Sequence, residues 1–316
     1  MSVAFVTGAD GFIGRHLVDH LRLRGWQVIA AVRASQGPGD EQAAGAKVVA
    51  VGDLAATDIA TLVNAMADVD VIYHLAGRAH RPDAGRAVAE KSFYDRDNLT
   101  ATQRVYTAAR SAGARRFIYV STIKVLGETS AEPLVEDAPP APPDVYAASK
   151  LAAERWLLEQ SDRPAISIVR PPLVYGPGVK GNMAALIGWV TRGRPLPLGL
   201  ARAPRSMVAV KNLVDLLVRA ADDEAPARIF HVRDDVEPTA ADLARQMGAA
   251  LGVPVRLWNV PPILMRWVMW CARRPSTYAA LFEPYRVDDS TTRRVLAWQP
   301  PQSIESAMAD MVEGMQ

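Results

Sequence analysis

Tyr146 and Lys150 stand four residues apart, and side chains at that spacing project from one face of a helix. A phenol, with an ordinary pKa of about 10, is poorly matched to proton transfer at neutral pH. A neighbouring ammonium stabilises the phenolate and lowers that value. The pair therefore reads as a proton-transfer device, with Tyr146 as acid or base and Lys150 as its electrostatic partner. Upstream, Ser121-Thr122 closes a short apolar run. Hydroxyls at the carboxyl end of a strand face the crevice where open α/β sheets bind ligands. One of them could polarise a carbonyl or hold an alcohol in line, and the alternative is a pair that caps backbone groups in a turn.

A second group of residues concerns phosphate. Thr7-Gly8-Ala9-Asp10-Gly11-Phe12-Ile13-Gly14 follows the first apolar run and opens the first helical pattern, the context that a dinucleotide fingerprint requires. Gly8 permits the tight turn, Gly11 lets the backbone approach a pyrophosphate, and Gly14 lets helix and strand pack closely. Phe12 and Ile13 begin the helix, whose N-terminal N–H groups would face the phosphates. The acidic residue that would hold an NAD ribose at the end of the second strand is missing, because the sequence there reads Val32-Arg33-Ala34-Ser35. Arg33 could pair with a 2′-phosphate, which favours NADP(H), with NAD(H) as the other possibility. Asp53-Leu54 stands where an adenine contact could form.

These groups need a scaffold. Apolar runs at 3–7, 28–32, 47–51, 69–75, 116–121 and 165–170 predict strands. Helical patterns at 13–24, 56–67, 97–111 and 146–160 separate them. The fold class is α/β, a Rossmann-type doubly wound parallel sheet with a smaller, loop-rich C-terminal lobe. Prolines 139, 140, 142 and 143 form a loop ahead of Tyr146, with Asp144 as N-cap of the helix that follows. The expected division is 1–170, rejoined by 212–235, and a second lobe over 171–316.

Composition narrows the class further. Hydrophobic residues make up 49%, charged residues 22%, and the net charge is +2 with basic residues scattered, which argues against a nucleic-acid partner. One cysteine, Cys271, excludes a disulfide framework and a cysteine zinc cluster, so no metal site is expected. The N-terminus lacks the pattern of a secretory signal, and cytoplasmic location is expected. The late apolar stretch 261–271 is too short to span a bilayer and contains Arg266. Burial in the core or between subunits is the ordinary fate of its Trp and Met stripe, and a membrane surface is the alternative.

Taken together, Thr7-Gly8-x-x-Gly11-x-x-Gly14, His74-Leu75-Ala76-Gly77, Asn98, Ser121-Thr122, Tyr146-x-x-x-Lys150 and Arg170-Pro171-Pro172-Leu173-Val174-Tyr175-Gly176-Pro177 carry a resemblance. Over nearly the whole chain the sequence resembles the extended short-chain dehydrogenase/reductase family, in its nucleotide-sugar epimerase/dehydratase branch. The resemblance implies Tyr146 as acid/base, Lys150 as its partner and ribose anchor, and Thr122, with Ser121 second, beside the sugar oxygen. It implies Gly8, Gly11, Gly14, Asp53, Leu54, Ala76 and Lys150 along the cofactor. It also implies Asn182 and Arg205 on a nucleotide-sugar substrate, and a homodimer through the helices at 97–111 and 146–160. His74 and His80 are read as structural rather than as metal ligands.

Two departures shape the expected activity. Ile123-Lys124 replaces the acidic pair that dehydratases of the family use, so dehydration is disfavoured. A late diphosphate-binding arginine has no clear counterpart, Arg273 and Arg274 being nearest. The expected reaction is at C4 of a UDP-linked hexose. The missing ribose carboxylate puts reduction of a 4-keto sugar first and 4-epimerisation with bound NAD second. A non-catalytic cofactor-sensing protein comes third, and the presence of both Tyr146 and Lys150 weighs against it.

Overall fold

A computed structural model describes residues 2–34, 45–79, 88–161, 163–223, 225 and 227–314. Seven parallel strands form the main sheet: β1 (Val3–Thr7), β2 (Gln27–Val32), β3 (Lys47–Ala50), β4 (Val71–His74), β5 (Arg116–Val120), β7 (Ala165–Arg170) and β10 (Ala227–His231). Their spatial order is β3-β2-β1-β4-β5-β7-β10, with the reversal of a doubly wound sheet beside β1. The expected strands fall within a residue or two of the observed ones, and the chain returns after the second lobe begins to add β10 at the edge.

Period-two alternation explains the layering. On β1, Ala4 and Val6 face one side and Phe5 the other; on β5, Ile118 and Val120 oppose Phe117 and Tyr119. One face is covered by α1 (Phe12–Leu23), through Leu17 and Leu21, and α7 (Val210–Ala220), through Leu213 and Leu217. The other is covered by α2 (Ile59–Ala65), α4 (Ala101–Ser111) and α5 (Val145–Leu158), which bring Leu62, Val105, Tyr106 and Leu157. The α2 helix starts later than expected, at the Asp58 cap, because the Thr57 hydroxyl donates to Val51 O and holds the preceding residues in a turn.

After β7 the chain builds a lobe around Met183, Ile187, Met247 and Met308. These come from α6 (Asn182–Thr191), α8 (Ala240–Leu251) and α12 (Ile304–Glu313), packed with the short parallel pair β8 (Leu173–Tyr175) and β9 (Met207–Ala209). A second short pair, β6 (Ser130–Leu134) with β11 (Tyr285–Val287), ties this lobe to the loop after β5. Among the described residues no helix is long and apolar enough to cross a membrane.

One expectation is corrected. The Trp and Met stripe forms α9 (Pro262–Cys271), followed by α10 (Pro275–Phe282), and only Met265 of α9 is buried. Nearly every other α9 side chain faces outward, so the stripe does not pack into the core of this chain.

Candidate active site

The glycine loop is a cradle that side chains would fill. A Cβ on Gly8, whose φ is +66°, would lie 2.9 Å from Ala76 N, and one on Gly14 would overlap Gly8 O and Ala9 Cα. Gly11 is the N-cap of α1 and brings no side chain to it, so the N–H groups of the first turn are left for another acceptor. Phe12 and Ile13 are half-buried against the core, which fixes the helix start. These residues fit a dinucleotide pyrophosphate.

Thr7 fastens the cradle to the neighbouring strand. Its hydroxyl oxygen accepts from the Leu75 and Ala76 N–H groups, both at 3.2 Å, and lies 2.8 Å from His74 Nδ1. The Thr102 hydroxyl donates to Asn98 O, so its oxygen accepts from His74 Nε2 at 3.0 Å. His74 Nδ1 therefore carries no proton and receives that of Thr7. Burial pulls the imidazole down to about 3, and it is neutral and structural. His80, the other histidine weighed as a ligand, lies outside the described residues.

The stretch expected to open a helix at Asp97 is instead a π-helical segment, Asp95–Thr100, running from α3 (Val88–Tyr94) into α4. Asn98 sits on it, fully buried. Its Oδ1 accepts from Arg78 N at 2.7 Å and its Nδ2 donates to Ser149 Oγ at 2.8 Å. Ser149 in turn donates to Tyr146 O. A Cβ on Gly77 would meet Asn98 Oδ1 at 2.7 Å and come 3.7 Å from Lys150 Nζ, so Gly77, Asn98 and Lys150 converge.

Asp144 caps α5 by accepting from Ala147 N at 2.7 Å, as expected, and places Tyr146 and Lys150 in the first turns. Lys150 donates to Val120 O at 2.8 Å and lies 4.4 Å from the centre of the Tyr119 ring. Burial pulls its ammonium down to about 8, opposed by the carboxylate of Glu154 one turn on. The Tyr146 phenol is pushed up to about 12 by burial, and the hydrogen bond from Thr122 is the main opposing influence. The phenol expected to be lowered is thus raised, because burial outweighs the influences that favour the phenolate. The Tyr94 ring meets Tyr146 edge-on at 6.1 Å. Ser121 Oγ is buried without a hydrogen-bond partner among the described residues.

Other expected residues stand further out. Arg33 is exposed at the end of β2 and forms no ion pair with a described residue, and Ser35 lies outside the described residues. Asp53 is paired with Arg96 and also accepts from Ala55 N, while Leu54 packs on the core. Asn182 is exposed at the start of α6. Arg205 donates through Nη1 to Ala279 O and Glu283 O, at the end of α10, and lies 5.2 Å from the Tyr285 ring centre. Arg273 and Arg274 are exposed between α9 and α10.

Three polar pairings went unnoticed in the sequence. Glu154 of α5 and Arg170 of β7 form a buried, forked ion pair with contacts of 2.7, 3.1 and 3.2 Å. Lys124 reaches Asp144 at 2.8 Å and so braces the α5 cap. Asp234 accepts from Tyr175 OH, Asn212 Nδ2 and Ala209 N, pinning β8 and β9 to the start of α7. Arg170 and Tyr175 belong to the motif already quoted; their acidic partners could be found only by pairing buried charges across elements.

The model of the NAD dependent epimerase/dehydratase family matches residues 4–232. A UDP-glucose 4-epimerase of Vibrio cholerae is 34% identical, with 95% of this chain and 91% of that protein covered. A UDP-glucose 4-epimerase of Mycolicibacterium smegmatis is 31% identical, with 98% and 96% covered. The solved structure of MoeE5 in complex with UDP-glucose and NAD superposes with a TM-score of 0.77 at 24% identity, covering 100% of this chain and 98% of that one. The glycine cradle, the doubly wound sheet and these full-length likenesses agree: the chain belongs to the NAD dependent epimerase/dehydratase family, in the nucleotide-sugar branch of the extended short-chain dehydrogenases/reductases.

Proposed function

We propose that the chain is a UDP-hexose 4-epimerase. The observation that carries this reading is the convergence of Tyr146, Thr122 and Lys150 at the carboxyl end of β5, beside the glycine cradle. The two full-length relatives named UDP-glucose 4-epimerase support it over the ketoreductase reading. Gly8, Gly11, Phe12, Ile13 and Gly14 would hold the pyrophosphate, Arg33, Asp53 and Leu54 the adenosine end, and Ala76 and Lys150 the nicotinamide end. A nicotinamide held there would supply the acceptor, and then the donor, of the hydride at the sugar C4. Tyr146 removes the proton from O4 as C4 is oxidised and returns it after the 4-keto sugar has turned over in the site. Thr122 donates to Tyr146 and shares in the proton's path, and Ser121, whose hydroxyl has no hydrogen-bond partner among the described residues, is a further donor to the sugar. Lys150, kept near the switch point of its charge, stabilises the phenolate once the sugar oxygen draws it from Val120 O.

Residues 1–170 with 212–235 form the cofactor half in this reading, and 171–316 the sugar-nucleotide half. Asn182 and Arg205 are its polar contacts; Arg205 has donors beyond those spent on the two carbonyls. The faces of α4 and α5 form the homodimer. Dehydration is not part of the repertoire, since Lys124 stands where an acid would be needed and is itself paired with Asp144.

Arg33 favours a second reading, an NADPH-dependent 4-ketoreductase, because an exposed guanidinium at that position suits a 2′-phosphate. One experiment separates the two. Mass spectrometry of the nucleotide released on denaturation should find stoichiometric NAD, and the protein should interconvert UDP-glucose and UDP-galactose. Protein that releases NADP(H) or nothing, fails to interconvert them and reduces a UDP-4-keto-hexose with NADPH would replace the epimerase with the reductase.

A further inference from the structure

The α9 helix carries an exposed apolar surface that the proposed reaction does not use. Ile263 is 80% exposed, Trp267 62%, Trp270 71% and Leu264 48%, and Trp258, just ahead of the helix, 61%. At about 100° per residue, Trp270, Ile263, Trp267, Leu264 and Val268 cover a continuous arc of about 160°. Met265, the buried residue, lies on the opposite side, and Arg266 borders the arc. A soluble surface seldom gathers this much exposed apolar area without a use for it.

The charge around the patch selects the partner. From residue 243 to residue 282 the sequence holds five arginines and no aspartate or glutamate. Arg245 is paired with Asp242, whereas Arg256, Arg266, Arg273 and Arg274 are exposed and form no ion pair with a described residue. A self-complementary protein interface favours apolar packing at its centre and balanced charge at its rim. A patch of Trp, Ile and Leu in a stretch of chain whose charged residues are all arginines matches the headgroup region of an anionic bilayer, where indole rings sit at the interface and guanidinium groups meet lipid phosphates.

We propose that α9, with the arginines that flank it, docks this protein on an anionic membrane surface as a peripheral, non-spanning attachment. The attachment is coupled to the site by short links. Arg205 holds the end of α10 through Ala279 O and Glu283 O, and the hydroxyl of Tyr285 donates to Gly127 O, in the turn that follows Thr122. The active-site face is therefore held in fixed relation to the docked helix.

Flotation of the full chain with vesicles tests this. Phosphatidylglycerol-containing vesicles should carry the protein at low salt, pure phosphatidylcholine vesicles should carry it at least about tenfold less, and raised salt should release it. W267E/W270E should lose vesicle binding about tenfold or more while keeping its circular-dichroism spectrum and nucleotide content. R266A/R273A/R274A should lose the preference for phosphatidylglycerol. Two outcomes would overturn the proposal: no wild-type binding to either vesicle, or a wild-type dimer in sedimentation equilibrium that W267E/W270E turns into a monomer, which would make α9 a subunit interface. Because the readout is vesicle binding, the result does not depend on which sugar the enzyme turns over.

Discussion

Replacing Arg170 by Met strands a carboxylate in the middle of the fold. Glu154 is 1% exposed and Arg170 4%, and three contacts between 2.7 and 3.2 Å join them. The guanidinium also donates to Glu136 O at 3.0 Å, a bond that would be lost as well. Removing one member of a buried pair costs roughly 3–5 kcal/mol, because the other charge is left without solvent or partner. The upper half of that range is expected here. At about 2–4 °C per kcal/mol, the midpoint should fall by roughly 8–20 °C. Removing both charges, as in R170M/E154L, should return the protein to within ~1 kcal/mol of wild type, since neither side chain is then an unpaired ion. The double variant has a second signature. Glu154 is the carboxylate that keeps the Lys150 ammonium from falling further, so without it the alkaline limb of the pH–rate profile should move to lower pH. Thermal melts and urea titrations of the two variants beside wild type are the assays. A single variant within 1 kcal/mol of wild type, or a double variant no more stable than the single one, would refute the reasoning.

Further outcomes follow from the same site. Tyr146→Phe should lower turnover by ~10²–10⁴-fold while the protein keeps its nucleotide, and retained turnover would remove Tyr146 from the proton path. Wild-type activity that depends on a charged Lys150 should fall as pH rises through about 8, because burial has lowered the ammonium's pKa from its ordinary value; a flat profile from 7 to 9.5 would count against that role. Arg33→Ala should weaken NADPH binding by ~1–3 kcal/mol and spare NADH if Arg33 reads a 2′-phosphate, and equal losses would show that it does not. In ¹⁵N-histidine spectra, His74 should hold a proton on Nε2 and none on Nδ1, without titrating between pH 8 and 5; an imidazolium signal in that range would break the assigned direction of its hydrogen bonds.

Much of this was legible in the amino acids, and the reasons differ by element. The main sheet could be read because its strands are short apolar runs buried on both faces, and the glycine loop because its spacing is dictated by backbone approach rather than by packing. The α5 cap and the four-residue step from Tyr146 to Lys150 are local, so local rules sufficed. What the sequence hid depends on contacts made across the fold. An arginine in a Pro-rich motif and a glutamate in a helix look like two surface charges until β7 and α5 bring Arg170 and Glu154 together. The Tyr146 phenol was expected to be lowered and is raised, because the burial that dominates it comes from packing across the fold. The apolar stripe of α9 was expected in the core or between subunits, and the core half of that reading failed because periodicity reports which face is apolar and not what that face meets.

The π-helical segment Asp95–Thr100 is in effect one residue too many in an otherwise α-helical path from α3 to α4. Losing Leu99 would let that path close into uninterrupted α-helix and improve its own hydrogen bonds. It would also turn everything before the cut by about 100° against everything after it. Asn98 could then no longer face Arg78 and Ser149 while Thr102 still faced His74. Deletion of that codon should therefore yield a well-folded helix with a misassembled site, so the extra residue that weakens the helix is the one the site depends on.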